Sequence, residues 1–115
     1  KDNSIKKLAL PVAEGLVFAD TEALSHLEAD GAYTHFIFSD GKKIIVSKKI
    51  KEFEEALTQQ NSFFRTHRSF IVNLKKIKQY VKQEGGYVLL ENDVQIPLAR
   101  DRKDDFLKVI EQMSL

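Results

Sequence analysis

The sequence predicts a mainly β domain of many short strands, with one helix in the middle and one at the C-terminus. Apolar and polar residues alternate in several short runs, which is the period of a half-buried strand. Glycine-containing turn signals separate these runs. In two places, residues 50–57 and 106–113, the apolar residues instead recur every three or four positions, which is typical of an amphipathic helix.

The first predicted element is a β-hairpin. Residues 8–12 alternate, Gly15 interrupts the run, and residues 16–18 resume it. Residues 20–21 then indicate a turn or a short helical cap.

A second hairpin is predicted around Asp40-Gly41. Residues 24–28 alternate and break at Asp30-Gly31, after which residues 33–39 again place alternate side chains on opposite faces. Asp-Gly readily adopts the positive φ angles of a type I′ turn, so residues 33–39 and 42–46 are expected to pair.

Both helices are predicted with a polar residue at the N-terminus. Ser47 is expected to cap a middle helix of about three turns, and Asp101 to cap the C-terminal helix. The predicted buried stripes are Ile50, Phe53 and Leu57 in the first helix, and Phe106, Val109, Ile110 and Met113 in the second.

The remaining extended segments lie between the two helices. They are residues 63–74, 77–81, 87–90 and 94–98. Gly85-Gly86 is expected to turn the chain into a pair of strands joined by residues 91–93, and Pro97 favours an edge position because proline cannot donate a ladder hydrogen bond.

Composition bounds the function. The 115 residues are 43% hydrophobic and 30% charged, so residues 1–115 are expected to form one folded domain. There is no cysteine, and the three histidines, His26, His35 and His67, fit no zinc spacing, so neither a metal nor a cofactor is expected. No apolar run approaches a membrane span of about 20 residues. We expect a cytoplasmic protein, and, since the chain begins at Lys1 without methionine, part of a longer one.

The basic charge is concentrated in the second half of the chain. Residues 1–60 carry 8 Lys/Arg and 10 Asp/Glu, whereas residues 61–115 carry 10 and 7. Residues 63–82 hold six Lys/Arg and no acid. Such a patch can neutralise phosphates, and the alternative is an ordinary solvated surface.

Four segments resemble, in order and spacing, the LytTR family of bacterial DNA-binding domains. They are "LEADGAYTHF" (27–36), "SDGKKIIVSKKIKEFEEAL" (39–57), "FFRTHRSFIVNLKKI" (63–77) and "IPLARDRKDDF" (96–106). The string in residues 63–73 is the most specific of them. The resemblance implies an elongated arrangement of antiparallel strands in several small sheets, with loops that enter the DNA major groove.

The resemblance also implies a place in a regulatory system. Such domains usually form the output half of a response regulator in a two-component system, behind a phospho-accepting receiver domain. The partner would be double-stranded promoter DNA carrying a pair of direct repeats. The isolated domain is expected to be a monomer, with two protomers brought together on DNA or through the receiver domain.

Two arginines are the first candidates for base contacts. Arg68 occupies the family's "H-R-S" position, and its guanidinium suits the O6 and N7 acceptors of guanine. Arg100 matches a loop arginine of the family; its structural alternative is an ion pair with Asp101 or Asp104. A third base contact is expected from the loop at Asp30-Gly31.

Other polar residues are assigned supporting roles. The candidates for that third base contact are Tyr33, Thr34 and His35. The candidates for phosphate contacts are Arg65, Ser69, Lys75, Lys76 and Lys78. His67 and Asn73 lie in the densest apolar stretch and are expected to be structural, since buried polar groups need partners.

An enzyme is disfavoured because the sequence has neither a G-x-S-x-G motif nor a glycine-rich phosphate loop. The stronger alternative is a β-rich protein-interaction or ligand-sensing module that has kept the scaffold and lost DNA binding.

Overall fold

The computed structural model describes residues 7–59 and 62–113 and consists mainly of antiparallel strands. The strands are β1 (Lys7–Val12), β2 (Gly15–Asp20), β3 (Leu24–Asp30), β4 (Tyr33–Phe38), β5 (Lys43–Val46), β6 (Phe63–His67), β7 (Phe70–Asn73), β8 (Ile77–Val81), β9 (Tyr87–Leu90) and β10 (Gln95–Pro97). The helices are α1 (Lys51–Thr58) and α2 (Lys103–Glu111), and short 3-10 turns span Thr21–Ala23, Leu74–Lys76 and Arg100–Arg102. The predicted fold class is confirmed.

The strands form three small sheets. The largest has five strands in the order β5-β4-β3-β7-β6, with the β1-β2 hairpin and the three-stranded sheet β10-β9-β8 beside it. Pro97 lies in β10, at the edge of its sheet as predicted.

Each face of the five-stranded sheet covers a separate core. Phe63 and Ile71 pack with α1 and the β1-β2 hairpin in one core. Their chain neighbours Phe64 and Val72 pack with Phe106 of α2 and the three-stranded sheet in the other. Because successive side chains of a strand point to opposite faces, the double-aromatic and double-aliphatic pairs of β6 and β7 are what a sheet buried on both sides requires.

One predicted turn has a different geometry from the one expected, and one turn was not predicted. The β4-β5 hairpin is confirmed, but of Asp40-Gly41 only Gly41 has a positive φ, of 91°, so the turn is not type I′. Residues 63–74 are not one extended segment, since the chain reverses at Arg68 and Ser69 and β6 pairs with β7. That turn contains no glycine, proline or asparagine, which explains why the pattern did not reveal it.

The helix caps differ from the prediction. Helix α1 begins at Lys51, four residues after Ser47, and has eight residues, about two turns. Asp101 lies inside a 3-10 turn rather than at the cap of α2. Met113 follows the end of α2 and is 54% exposed, so it is not part of the buried stripe.

Candidate nucleic-acid interface

Several polypeptide segments converge at one end of the five-stranded sheet, which we call the loop end. It carries the β3-β4 turn, the β6-β7 turn and the segment that follows β5. The Ala29 N–H donates to the Ser69 carbonyl over 2.8 Å and so joins the first two turns. The Ala99 N–H donates to the Thr66 carbonyl over 2.8 Å and brings the segment after β10 to the same place.

Arg68 and Arg100 lie on these joined segments. Arg68 is in the β6-β7 turn and Arg100 immediately follows Ala99, and both residues are exposed. Within residues 7–59 and 62–113, neither guanidinium has a hydrogen bond or an ion pair. The alternative ion pair of Arg100 with Asp101 or Asp104 is therefore not formed.

Arg65 is placed differently from Arg68. Its side chain is 16% exposed and donates to three acceptors: Nε to the His67 carbonyl over 3.0 Å, one terminal nitrogen to the Arg68 carbonyl, and the other to the Glu54 carboxylate of α1. A guanidinium engaged in this way has little capacity left for a phosphate. The expected phosphate contact does not fit this geometry.

Arg102 joins the start of α2 to β6, a role that was not predicted from the sequence. Its Nε donates to the Arg65 carbonyl over 2.9 Å, and its guanidinium carbon lies 4.9 Å from the centre of the Phe64 ring. A terminal nitrogen donates to Asp105 over 3.2 Å. These contacts fix the segment that also carries Arg100.

The three candidates of the β3-β4 turn have different surroundings. Tyr33 is 49% exposed at the loop end. Thr34 is fully buried and its hydroxyl donates to the Lys48 carbonyl over 2.7 Å, so the hydroxyl is not available to a base. The Nε2 of His35 lies 3.1 Å from a carboxylate oxygen of Asp30.

His67 and Asn73 both hold backbone. The Nδ1 of His67 accepts from the Ser69 N–H over 3.1 Å. Asn73 is 1% exposed, donates to the Leu24 carbonyl over 2.8 Å and accepts from the Lys75 N–H over 3.0 Å. Ser69, which was expected to contact phosphate, is partly exposed within the Arg68 turn.

Lys75, Lys76 and Lys78 do not lie beside Arg68. They follow β7, which runs away from the loop end, and the five steps from Ser69 to Leu74 span about 17 Å in extended chain. Lys75 lies 3.7 Å from Glu22 and Lys78 lies 3.1 Å from Asp93. This placement does not fit the phosphate contacts expected of them together with Arg68.

Two lysines that were not chosen from the sequence are at the loop end. Lys48 and Lys49 follow β5 and are exposed, and Lys48 has only a long ion pair, of 3.9 Å, with Glu52. The pairing of β5 with β4 places Val46 opposite Thr34, so the segment that follows β5 lies near the β3-β4 turn.

His26 lies inside the domain, away from the loop end. It is 3% exposed, and burial lowers its pKa from 6.5 to about 4. Its Nδ1 lies 3.0 Å from the Ser25 hydroxyl, which accepts from the Asn92 amide over 3.2 Å. The neutral ring therefore belongs to a bridge between β3 and the β9-β10 loop.

The described part of the chain holds neither a metal-binding cluster nor a membrane-spanning helix. Among the residues that the structure describes, no cluster of three His, Cys, Asp or Glu side chains could hold a metal ion. In the same part of the chain, no helix combines the length and the apolar character needed to cross a bilayer.

Comparison with known proteins agrees with the geometry. RcoM, a CO-responsive transcriptional regulator of Rhodospirillum rubrum, is 33% identical over 86 residues, which are 75% of this chain. This chain spans only 36% of that regulator's length. A solved LytTr DNA-binding domain from Bacillus cereus has the same fold, with a TM-score of 0.77 at 24% identity over 93% of this chain and 98% of that one. The family model described as the LytTr DNA-binding domain matches residues 14–111, and the chain belongs to that family.

Proposed function

We propose that the domain binds duplex DNA sequence-specifically by placing its loop end in the major groove, where Arg68 and Arg100 contact bases. One observation carries this proposal: two exposed guanidinium groups, unpaired within the described residues, lie on backbone segments joined by the hydrogen bond between Ala99 and Thr66. Membership of a DNA-binding family supplies the ligand class.

The chemistry of the groove suits this arrangement. The major groove is about 12 Å wide and admits a loop, and guanine presents O6 and N7 there as a pair of acceptors. The planar fork of arginine matches that pair with two parallel N–H donors. Because backbone hydrogen bonds hold both arginine segments, little backbone freedom remains to be lost on binding.

Phosphate contacts would come from the rim of the loop end. Lys48 and Lys49 are exposed there, Tyr33 offers a hydroxyl group at the loop end, and Ser69 offers one next to Arg68. Such contacts fix the register of the protein on the duplex without reading sequence.

The domain would act as the output half of a response-regulator-type transcription factor. Two protomers would occupy a pair of direct repeats, and a signal received elsewhere in the longer protein would control their pairing. The CO-responsive relative, in which the matching segment is 36% of the length, is one protein in which a regulatory signal and this domain occur together.

Selection of bound sequences from a random duplex pool tests the proposal. We expect a defined site for the unaltered domain, and Arg68→Ala and Arg100→Ala should each cost about 1 to 3 kcal/mol and relax the preference at one base position. Lys76→Ala is the matched control, because it removes a positive charge away from the loop end.

Two results would contradict base reading. One is an equal loss of affinity for selected and scrambled duplexes in both arginine variants. The other is the absence of a steep salt dependence, since each neutralised phosphate should contribute a slope of about −0.9 in log affinity against log salt. A flat salt titration would favour the alternative of a protein-interaction module.

A further inference from the structure

The turn that presents Arg68 has no local sequence feature that would fix its shape. Arg68 and Ser69 are neither glycine, proline nor asparagine, and neither has a positive φ. The preceding strand is irregular, with a register shift between Arg65 and His67. The turn therefore depends on its hydrogen bonds: the Ser69 N–H donates to Nδ1 of His67, the Ala29 N–H donates to the Ser69 carbonyl, and further bonds come from Arg65.

The Arg65 side chain supplies the contacts that tie the turn to α1. Two of its three acceptors are the carbonyls of His67 and Arg68, which are the peptide groups on either side of the Arg68 backbone. The third is the Glu54 carboxylate, which lies on α1 and outside the sheet. Arginine can bridge three such acceptors because its donors form a rigid planar fork, and lysine cannot.

The Glu54 contact also balances the charge. Arg65 is 16% exposed and Glu54 38% exposed, so the pair is partly shielded from water. A cation that is buried to this degree and already paired contributes little to the field that a phosphate meets.

We infer that Arg65 is a positioning residue: together with Glu54 it holds the β6-β7 turn in the conformation that presents Arg68, and it does not contact DNA itself. This inference rests on the proposed function. It reassigns a residue that the sequence grouped with the phosphate contacts, and it gives Glu54, an acidic residue, a part in DNA recognition.

The sharpest test is Glu54→Ala, because electrostatics alone predicts the opposite result. Removing a carboxylate should strengthen DNA binding through charge, whereas loosening the turn should weaken binding to the selected site. We expect about a tenfold loss for the selected duplex, which is part of the value of one bidentate base contact, and no loss for a scrambled duplex. Glu55→Ala is the matched control: Glu55 is the next residue on α1, and its carboxylate accepts from Gln59.

A second pair of variants separates positioning from phosphate contact. Arg65→Lys keeps the positive charge, but its affinity for the selected duplex should fall. Arg65→Gln, which removes the charge, should lose affinity for that duplex in the same way. Arg65→Gln should leave the salt slope on scrambled DNA unchanged. A fall of about 0.9 in that slope would identify a phosphate contact and overturn the inference.

Amide NMR signals give a readout that does not depend on DNA. The Ala29 N–H donates to Ser69 and the Ser69 N–H donates to His67, so both report the conformation of the turn. They should shift in Glu54→Ala and stay in place in Glu55→Ala, with the remaining spectrum showing a folded domain. Unmoved signals, or binding equal to that of the control, would overturn the inference. If Arg68→Ala left specificity intact, the proposed base contact of Arg68 would be wrong. The amide signals would still test whether Arg65 and Glu54 hold the turn.

Discussion

Lowering the pH from 7 to 5 should destabilise the domain by about 2 kcal/mol through His26. Burial lowers the pKa of this residue to about 4 in the folded state, against 6.5 for the unperturbed side chain. Between about pH 4 and pH 6.5, His26 is protonated in the unfolded chain and neutral in the folded chain. The free energy of unfolding therefore falls as the pH falls. The contribution is fully present above pH 6.5, and the largest possible loss, below pH 4, is about 3 kcal/mol at 1.36 kcal/mol per pKa unit.

The structure explains where that proton would act. The Asn92 amide donates to the Ser25 hydroxyl, which leaves the hydroxyl hydrogen for Nδ1 of His26. Protonation of His26 would place a positive charge in the buried bridge between β3 and the β9-β10 loop. Loss of the bridge should accompany loss of stability.

Urea unfolding at several pH values measures the effect. The free energy of unfolding of the unaltered domain should decrease from pH 7 to pH 5, and His26→Gln should remove about 2 kcal/mol of that decrease. His35→Gln, which changes a partly exposed histidine at the loop end, is the control and should retain it. An unchanged pH dependence in His26→Gln would refute the reasoning.

Three further predictions concern charge, backbone and core. Lys49→Ala should weaken binding to all duplexes alike and reduce the salt slope by about 0.9, whereas Lys76→Ala should leave the slope unchanged in the same titration. Asn73→Ala should cost about 1 to 3 kcal/mol in urea unfolding, because it leaves the buried Leu24 carbonyl without its donor; an unchanged midpoint would contradict this. Phe106→Ala should cost about 3 to 5 kcal/mol by the same measurement, because the ring is fully buried between α2 and both neighbouring sheets, and a loss below 1 kcal/mol would contradict that packing.

Local patterns were sufficient where one residue type has a strong conformational preference. Gly41 and Gly85 both occupy positive φ at predicted turns, and Pro97 lies on a sheet edge. The predicted helix caps were wrong because tertiary contacts, and not the expected capping side chains, position the chain before the helix. The Thr34 hydroxyl holds the Lys48 carbonyl, so the chain makes a further turn after Ser47 before α1 begins.

The sequence singled out Arg68 and Arg100, which the structure places exposed on joined segments, but it did not predict their surroundings; their contact with bases stays a prediction. Arg65 and Arg68 are the same residue type and lie three residues apart. The Arg65 side chain is hydrogen-bonded within the domain, whereas Arg68 is exposed. What separates them is Glu54, eleven residues earlier and on another element, and no spacing rule relates a helix to a strand that follows it. The position of Lys48 and Lys49 at the loop end likewise depends on β5 pairing with β4.

The charge run of residues 63–82 shows why density along a chain is a poor guide to density in space. Strand β7 divides it, leaving Arg68 at the loop end and carrying Lys75 and Lys78 away to contacts with Glu22 and Asp93. The loop end is left with a few cations, and because each phosphate contact adds only a modest salt-dependent increment, a single domain should bind DNA weakly. Tethering two domains makes the second binding event intramolecular and raises the overall affinity without any new contact. If the domain acts as proposed, whatever brings two copies together would control DNA binding, and we expect a covalently linked tandem of this domain to bind paired sites far more tightly than the single domain binds either one.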